Sequence, residues 1–274
     1  MCCDFRTLNR LDGNEIVRFF RDIKKYNRYC VYSAKAQLKS EVAGSYLNWI
    51  WWILDPLCFM LIYTFLFGYV FNARELYFPL FIFIGLTLWD FFNRNLRYSI
   101  SCVKHNKSVL SKVYFPKYIL LLVKLLSNGF KMLVSFGIIL LIMAFFRVPL
   151  TWNALYLFPI ILTLVLLSFG LSCVLLHIGV YVEDLSNVMN LALRFLFYAT
   201  GVFYNIETRI PVWGPVLNRA NPIAFLITSM RDCLLYSHEP DLTLLGIWFV
   251  ICLALSVFGV RLIYRSENNY VKAI

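Results

Sequence analysis

Charged side chains are scarce in this sequence: only 15% of its 274 residues are Asp, Glu, Lys or Arg, whereas 61% are hydrophobic. The mean hydropathy is +0.70. A water-soluble fold cannot hide that much apolar surface, so the composition excludes a soluble protein and indicates a chain that lives in a bilayer. The apolar runs are far longer than the strands of a membrane barrel. We therefore expect membrane-spanning helices, which bond all their backbone amides internally.

Motifs for catalysis are missing as well. The sequence contains no GxxxxGK[ST] loop, no HExxH and no GxSxG, and its histidines, His105, His177 and His238, lie far apart. We expect that the chain hydrolyses no ATP, binds no metal and carries no cofactor. The eight cysteines show no CxxC spacing, which favours small buried hydrophobes over a disulfide or metal framework.

Six apolar stretches are close to the length that a bilayer requires, and they lie at residues 49–71, 78–98, 125–146, 155–182, 188–204 and 242–264. The first forty or so residues lack the pattern of a cleaved signal peptide. An even number of spans places both ends of the chain on the same side. Basic residues precede the first span, follow the second and follow the sixth, so we expect both termini in the cytoplasm.

The net charge is +11, and on this topology nearly all of it lies on the cytoplasmic side. A basic chain can bind nucleic acid, but the preference of cytoplasmic loops for Lys and Arg explains this charge without such a partner. Segment 1–46 is expected to be cytoplasmic and amphipathic. Its apolar residues Ile16, Phe19, Phe20 and Ile23 share one helix face, which predicts a helix on the inner leaflet or, alternatively, one packed on a partner protein.

Segment 205–240 is too long for a tight turn and is rich in Pro, Trp and polar residues. Its stretch at 223–236 is too short and too polar to span. We predict short re-entrant or interfacial helices there, on the outer side between the fifth and sixth spans. The expected fold is therefore all-α and integral to the membrane, with six transmembrane helices, an N-terminal interface helix and this outer segment.

Ionisable residues inside spans are costly and are candidates for function. Asp90 and Arg94 stand four residues apart and are expected to pair along one helix face. Lys131 can reach the inner headgroups. Arg194 lies about two turns into the fifth span, where either a structural role or contact with an entering phosphate remains open.

Aromatic residues make up 18% of the chain. In the first span Phe59, Tyr63, Phe67 and Phe71 recur every fourth residue, which places them on one helix face. Such a stripe is common in packing or lipid contact. The functional alternative is a pore whose aromatic faces let sugar rings slide, and Phe195 and Tyr198 of the fifth span can face the same pore.

Several motifs resemble the permeases of ABC-2 type exporters for O-antigen, capsular polysaccharide and teichoic acid. The resemblance covers nearly the whole chain. Its motifs are Asp55-Pro56-Leu57 at the start of the first span, the segment 109–116 that ends in Tyr114-Phe115-Pro116, Glu183-Asp184-Leu185, and Asn221-Pro222 followed by Arg231.

The resemblance implies roles for these segments. Loops near 104–117 and 181–187 would dock on an ATPase, through Lys107, Lys112, Tyr114, Phe115, Glu183 and Asp184. Trp213, Asn221, Pro222 and Arg231 would belong to an outer gate. The working unit would combine a second copy of this chain with two ABC ATPase subunits, which bind ATP and Mg, in the bacterial plasma membrane.

The expected function is export of a lipid-linked glycan or polyol-phosphate chain. One alternative is an ABC-2 exporter of a drug or a simple lipid, for which the aromatic stripe would be packing only. Another is a membrane-embedded transferase acting on polyprenyl substrates. Such an enzyme needs clustered acidic or histidine side chains at the membrane surface, and the sequence has only scattered ones.

Overall fold

The computed structural model describes residues 15–44, 46, 48–70, 75–106, 116–209 and 212–270, and over these residues it contains helices and no strand. The helices are α1 (Glu15–Val42), α2 (Trp51–Tyr63), α3 (Phe78–His105), α4 (Tyr118–Phe145), α5 (Leu157–Tyr181), α6 (Leu185–Ala199), α7 (Ile206–Arg209), α8 (Gly214–Ala220), α9 (Pro222–Arg231) and α10 (Leu242–Tyr270). Two π-helices, Thr64–Val70 and Asp232–Tyr236, extend α2 and α9. The all-α prediction is confirmed.

Four helical segments among the described residues are long and apolar enough to cross a bilayer: Trp51–Val70, Tyr118–Phe145, Trp152–Tyr181 and Leu242–Ser266. They coincide with the first, third, fourth and sixth predicted spans. Helix α3 has 28 residues, but Asp90, Asn93 and Arg94 reduce its hydropathy, and α6 has only 15 residues. The chain is thus a multi-pass helical membrane protein, and the six-span count stays a prediction.

The centre of the bundle is formed by α3, α4, α5 and α10, whose buried faces share one apolar core. Small residues let α5 and α10 approach closely. A Cβ added at Gly259 would lie 2.6 Å from Cys173 Cβ, and one added at Gly170 would lie 2.9 Å from the backbone nitrogen of Ser256. Between apolar helices in lipid, such backbone proximity is a main source of association.

Helix α1 packs on the bundle itself. The ring of Phe19 lies 5.1 Å from that of Tyr118 at the start of α4, and the buried residues of α1 continue along the same face. Tyr264 of α10 donates a 2.8 Å hydrogen bond to Asp22 Oδ2, and its hydroxyl lies 2.8 Å from that of Tyr118. The predicted amphipathic helix is present, and α4 and α10 cover part of its apolar face.

Helices α2 and α6 are the least enclosed parts of the bundle. Only 6% of the most apolar stretch of Trp51–Val70 is buried inside the protein, compared with 56% of the corresponding stretch of Trp152–Tyr181. In α6 Leu193 is the one residue that is fully buried. Both helices therefore present most of their side chains outward, where they are available to lipid or to another protein.

Candidate functional site

A cavity of about 510 Å³ opens between α2, α3, α4 and α6, close to the end of α1. We name it the charged cavity because seven ionisable side chains line it together with aromatic rings. The ionisable residues are Glu41, Asp55, Asp90, Arg94, Arg97, Lys131 and Arg194. A wet polar opening within an apolar bundle is where charged residues of a membrane protein are tolerated.

Two ion pairs lie on the wall of the charged cavity. Arg94 donates to Asp90 Oδ2 at 2.9 Å, one turn away on α3, which confirms the pairing predicted from their spacing. Lys131 of α4 bonds to Glu41 at the end of α1, and Lys124 lies 3.3 Å from the same carboxylate. Lys131 was predicted to reach for headgroups, and a side chain 90 residues away is its partner instead.

The electrostatics of Glu41 follow from these contacts. Partial burial on its own raises the pKa of the Glu41 carboxyl, but the hydrogen bond and charge of Lys131, followed by those of Lys124, lower it below the ordinary value. The carboxylate is thus ionised at neutral pH and fixes the end of α1 to α4.

The predicted aromatic stripe of the first span divides into two environments. Phe59 is 51% exposed and lines the charged cavity with Tyr63. Tyr63 and Phe67 are half-buried, and their rings pack on Phe203 at centroid distances of 4.5 and 4.6 Å. Phe71 lies outside the described residues. The stripe therefore has an exposed part at Phe59 and a part at Tyr63 and Phe67 that is packed on Phe203.

Phe203 lies at the centre of this aromatic packing, and no sequence pattern predicted its role. It is 3% exposed, stacks on Phe67 with planes 3° apart and meets the edge of Phe197 at 5.0 Å. The residue follows Gly201, whose φ of +63° reverses the chain after α6. An aromatic residue two positions after a glycine, at the end of an apolar stretch, is the signal that marks it.

On α6 the predicted path residues lie outward. Phe195 and Tyr198 are 76% and 63% exposed, and Arg194 lines the charged cavity. Arg194 makes no hydrogen bond or ion pair with any residue that the structure describes. An unpaired guanidinium indicates a polar surrounding, because its cost in lipid is high.

The predicted outer segment contains α7, α8 and α9. Asn221 caps α9, accepting a 3.1 Å hydrogen bond from the Ile223 amide, and Pro222 occupies the first turn, where its missing N–H does no harm. This local chemistry explains why α9 begins at the Asn-Pro pair. Trp213 is 66% exposed before α8.

Arg231 ends α9 and is buried, with 3% of its surface exposed. Its guanidinium donates to three backbone carbonyls: Phe81 O at 3.0 Å, Gly201 O at 3.0 Å and Val202 O at 2.7 Å. It also lies 3.4 Å from the centroid of the Phe81 ring. We name this group the Arg231 cluster. It joins α9 to α3 and to the turn that carries Phe203.

Of the residues expected to contact an ATPase, Lys107, Lys112, Tyr114 and Phe115 lie outside the described residues. Glu183 and Asp184 are exposed between α5 and α6, where the Asp184 carbonyl accepts from the amide of Asn187 at 3.0 Å. No group of three or more His, Cys, Asp or Glu residues within the described part of the chain has the geometry of a metal site.

The fold and the charged cavity thus define a multi-pass membrane protein with a polar opening inside its helical bundle. A family model described as ABC-2 type transporter matches residues 29–235. The chain therefore belongs to the ABC-2 type transporter family, as its motifs predict.

Curated relatives are similar along almost their entire length. The O-antigen export system permease protein RfbA of Myxococcus xanthus is 29% identical over 259 residues, which cover 93% of this chain and 96% of the relative. The protein of the same name from Klebsiella pneumoniae is 25% identical over 238 residues, which cover 86% of this chain and 91% of the relative.

Proposed function

We propose that this chain is the permease subunit of an ATP-driven exporter that moves a lipid-linked polysaccharide, of the O-antigen, capsule or teichoic acid type, across the bacterial plasma membrane. The observation that carries the proposal is the similarity to two O-antigen export permeases, which extends over 93% and 86% of this chain. It includes the charged cavity, the aromatic helices and the outer segment.

In the proposed topology α3 and α6 are the second and fifth of six spans, and both termini are cytoplasmic. The chain forms a single transmembrane unit with an interface segment at 1–46, five spans within 47–204, a re-entrant outer segment at 205–240, the sixth span at 241–264 and a cytoplasmic tail at 265–274. The basic residues before the first span and after the second and sixth support this orientation.

Two copies of the permease enclose the path for the glycan, with α2 and α6 facing it. These helices are the least buried ones that reach the charged cavity, and exposed Phe59, Phe195 and Tyr198 lie on them. Aromatic faces offer sugar rings a flat, weakly polar surface without strong hydrogen bonds. A long polymer can then move past without being held at each step.

The energy comes from two ABC ATPase subunits, which bind ATP and Mg. Their proposed contacts are the loops near 104–117 and 181–187. Replacing Tyr114 and Phe115 by Ala is expected to leave ATP hydrolysis and abolish export. Normal export by that double variant would rule out the first loop as a coupling element.

The first test is purification of the permease with and without its cognate Walker-motif subunit. The permease alone is expected to hydrolyse no ATP, and the complex is expected to hydrolyse it with a rate that rises when the lipid-linked glycan is added. Failure to bind any such ATPase would contradict the proposal.

An exporter of a drug or simple lipid is the second candidate, favoured by the size of the charged cavity, which at about 510 Å³ suits a small molecule. Replacing Phe59, Phe195 and Tyr198 by Leu distinguishes the two. Glycan export is expected to fall if these rings carry the polymer and to be unchanged if they only meet lipid. Leu keeps the apolar character, so folding is expected to survive.

A further inference from the structure

We propose that α1 transmits movement of the loop near 104–117 to α2. Asp22, Tyr118 and Tyr264 are the positioning residues that attach α1 to the bundle. This rests on the proposed function, in which that loop contacts the ATPase and α2 faces the path for the glycan. Three features of the structure support it: a polar contact in an otherwise apolar core, a second attachment at the far end of α1, and the proximity of that end to α2.

The end of the loop is joined rigidly to α4. The Ile119 amide donates to the Pro116 carbonyl at 3.0 Å, so the first turn of α4 continues directly from the loop. Tyr118 and the three residues that follow it are all buried. Four consecutive residues point to all sides of a helix, so the start of α4 is enclosed by the core that α1, α3, α5 and α10 complete. Movement at Pro116 is therefore passed on to Tyr118.

Tyr118 is connected to α1 and α10 by three oxygen atoms that lie close together. The Tyr264 hydroxyl donates to Asp22 Oδ2 at 2.8 Å, and the hydroxyls of Tyr118 and Tyr264 lie 2.8 Å apart. Tyr118 Oη is also 3.3 Å from Asp22 Oδ2. Arg18 lies 3.9 Å from the same carboxylate oxygen, and its guanidinium lies 4.7 Å from the centroid of the Tyr264 ring. These four residues, which we name the Asp22 cluster, join three helices at one point.

Stability alone does not explain a polar cluster in this position. The side chains around it are apolar, among them Phe19, Phe169 and Ile263. Replacing a largely buried polar contact by apolar side chains of the same shape is often neutral or stabilising. Directional hydrogen bonds, in contrast, fix the register of one helix on another. The Asp22 cluster therefore sets the position of α1 on α4 and α10.

The opposite end of α1 is attached to the same helix, α4. Glu41 bonds to Lys131 and lies 3.3 Å from Lys124. Between the two ends, the hydroxyl of Ser127 lies 3.2 Å from Gln37 Oε1. Because polar contacts hold α1 on α4 near its start, near its middle and at its end, a displacement of α4 carries the whole of α1 with it.

The end of α1 lies next to the start of α2. Helix α1 ends at Val42, and Asn48–Ile50 forms a short 3-10 helix directly before α2. Glu41 and Val42 line the charged cavity together with Trp51 and Trp52, so the two helix ends are neighbours in space as well as in sequence. Movement of α1 therefore reaches α2, the helix that carries the aromatic stripe.

The experiment measures glycan transfer and ATP hydrolysis in the same proteoliposomes, with the complete complex of permease and ATPase. The ratio of glycan moved to ATP hydrolysed reports how well the two are coupled. The central variant is Asp22→Leu, Tyr118→Phe, Tyr264→Phe, which replaces the polar groups by apolar side chains of similar shape. Arg18 keeps contact with water because its side chain is 30% exposed. The triple variant is therefore expected to unfold at the same denaturant concentration as the unchanged protein.

The triple variant is expected to hydrolyse ATP at the unchanged rate and to move about tenfold less glycan per ATP. Loss of one hydrogen bond to a charged group shifts an equilibrium between two positions of α1 by about this factor. Asp22→Asn keeps an acceptor oxygen and is expected to keep most of the ratio. Asn27→Leu, Tyr32→Phe makes matched changes on the exposed face of α1 and is expected to alter neither quantity.

An unchanged ratio in the triple variant would overturn the proposal. Transfer and hydrolysis that fall by the same factor would also overturn it, because the cluster would then act only on assembly. If the triple variant does not fold, Tyr264→Phe decides, since it removes one hydroxyl and leaves the ring: a lower ratio supports the proposal and an unchanged ratio overturns it. An unchanged complex that moves no glycan with ATP would contradict the proposed function itself, whereas an active complex with unaffected variants would contradict this inference alone.

Discussion

Replacing Arg231 by Met tests the contacts that join α9 to α3 and to the turn after α6. Met keeps much of the length and the apolar stem of the side chain but removes the guanidinium. The change leaves the carbonyls of Phe81, Gly201 and Val202 without the hydrogen bonds of 2.7 to 3.0 Å that they now accept. Because Arg231 is 3% exposed, water cannot easily replace them.

The expected loss follows from two opposing terms. Each hydrogen bond from a charged donor stabilises by about 1.5 to 3 kcal/mol, so three lost bonds cost about 4.5 to 9 kcal/mol. Removing a buried charge returns several kcal/mol of desolvation energy. The net destabilisation is expected to be about 3 kcal/mol, which is large for a single substitution.

The assay is equilibrium unfolding of the purified permease in detergent, followed by circular dichroism. Arg231→Lys keeps the charge but not the three-way geometry and is expected to lose nearly as much as Met. Gly85→Ala is expected to show a smaller loss, because its Cβ would lie 2.5 Å from Arg231 Nη2 and push the guanidinium aside. Arg219→Met, at an exposed arginine, is the control and is expected to have no effect.

An unfolding free energy for Arg231→Met within 0.5 kcal/mol of the unchanged protein, a band typical of neutral surface changes, would refute this reasoning. It would mean that water or a rearranged backbone satisfies the three carbonyls. Arg231 would then not be the residue that joins α9 to α3.

Four further substitutions are expected to act at other contacts, and each is measured by the same unfolding assay. Phe203→Ala removes the ring on which three aromatic side chains pack and is expected to cost about 3 to 5 kcal/mol; no loss would show that the ring cluster is not an anchor. Tyr264→Phe removes a 2.8 Å hydrogen bond and is expected to cost about 1 kcal/mol, with wild-type stability as the contradicting result. Gly179→Val places a side chain against the backbone of α3 and is expected to prevent normal packing, whereas stable protein would show that the helices can separate. Glu41→Gln is expected to cost about 1 kcal/mol of unfolding free energy at neutral pH. Because the pKa of the Glu41 carboxyl is lowered in the folded protein, the difference in stability between the variant and the unchanged protein should vanish as the pH falls through that pKa. A difference that stays constant with pH would contradict the ion pairs.

Sequence patterns predicted the parts of this fold that depend on local spacing. Apolar runs located the helices of four spans, because a span needs about 20 consecutive apolar residues and such runs are visible in the sequence. The pairing of Asp90 with Arg94 followed from their separation by one helical turn. The start of α9 followed the Asn-Pro pair, which supplies its own cap.

Contacts between distant segments were not predictable in this way. Arg231 was singled out, but its acceptors lie 150, 30 and 29 residues away in the chain, and nothing local indicates them. Lys131 was expected to reach lipid because its partner, Glu41, belongs to a helix whose position depends on tertiary packing. Phe203 has a role only through the rings that other helices bring to it.

In the candidate site, too, local spacing was predictive and contacts between distant segments were not. Spacing alone singled out the aromatic rings and the intramembrane cations as candidates for a path, and that role stays a prediction. The cavity that Arg97 and Arg194 line arises from the arrangement of α2, α3, α4 and α6, and no motif marks it.

The most direct test of the central claim is transport by the complex in proteoliposomes that contain the lipid-linked glycan on one face only. A lectin or enzyme that cannot cross the bilayer then detects glycan on the opposite face. The permease with its ATPase is expected to move glycan only when ATP is present, and the permease alone is expected to move none. Absence of ATP-dependent transfer in a complex that hydrolyses ATP would contradict the assignment as a polysaccharide exporter.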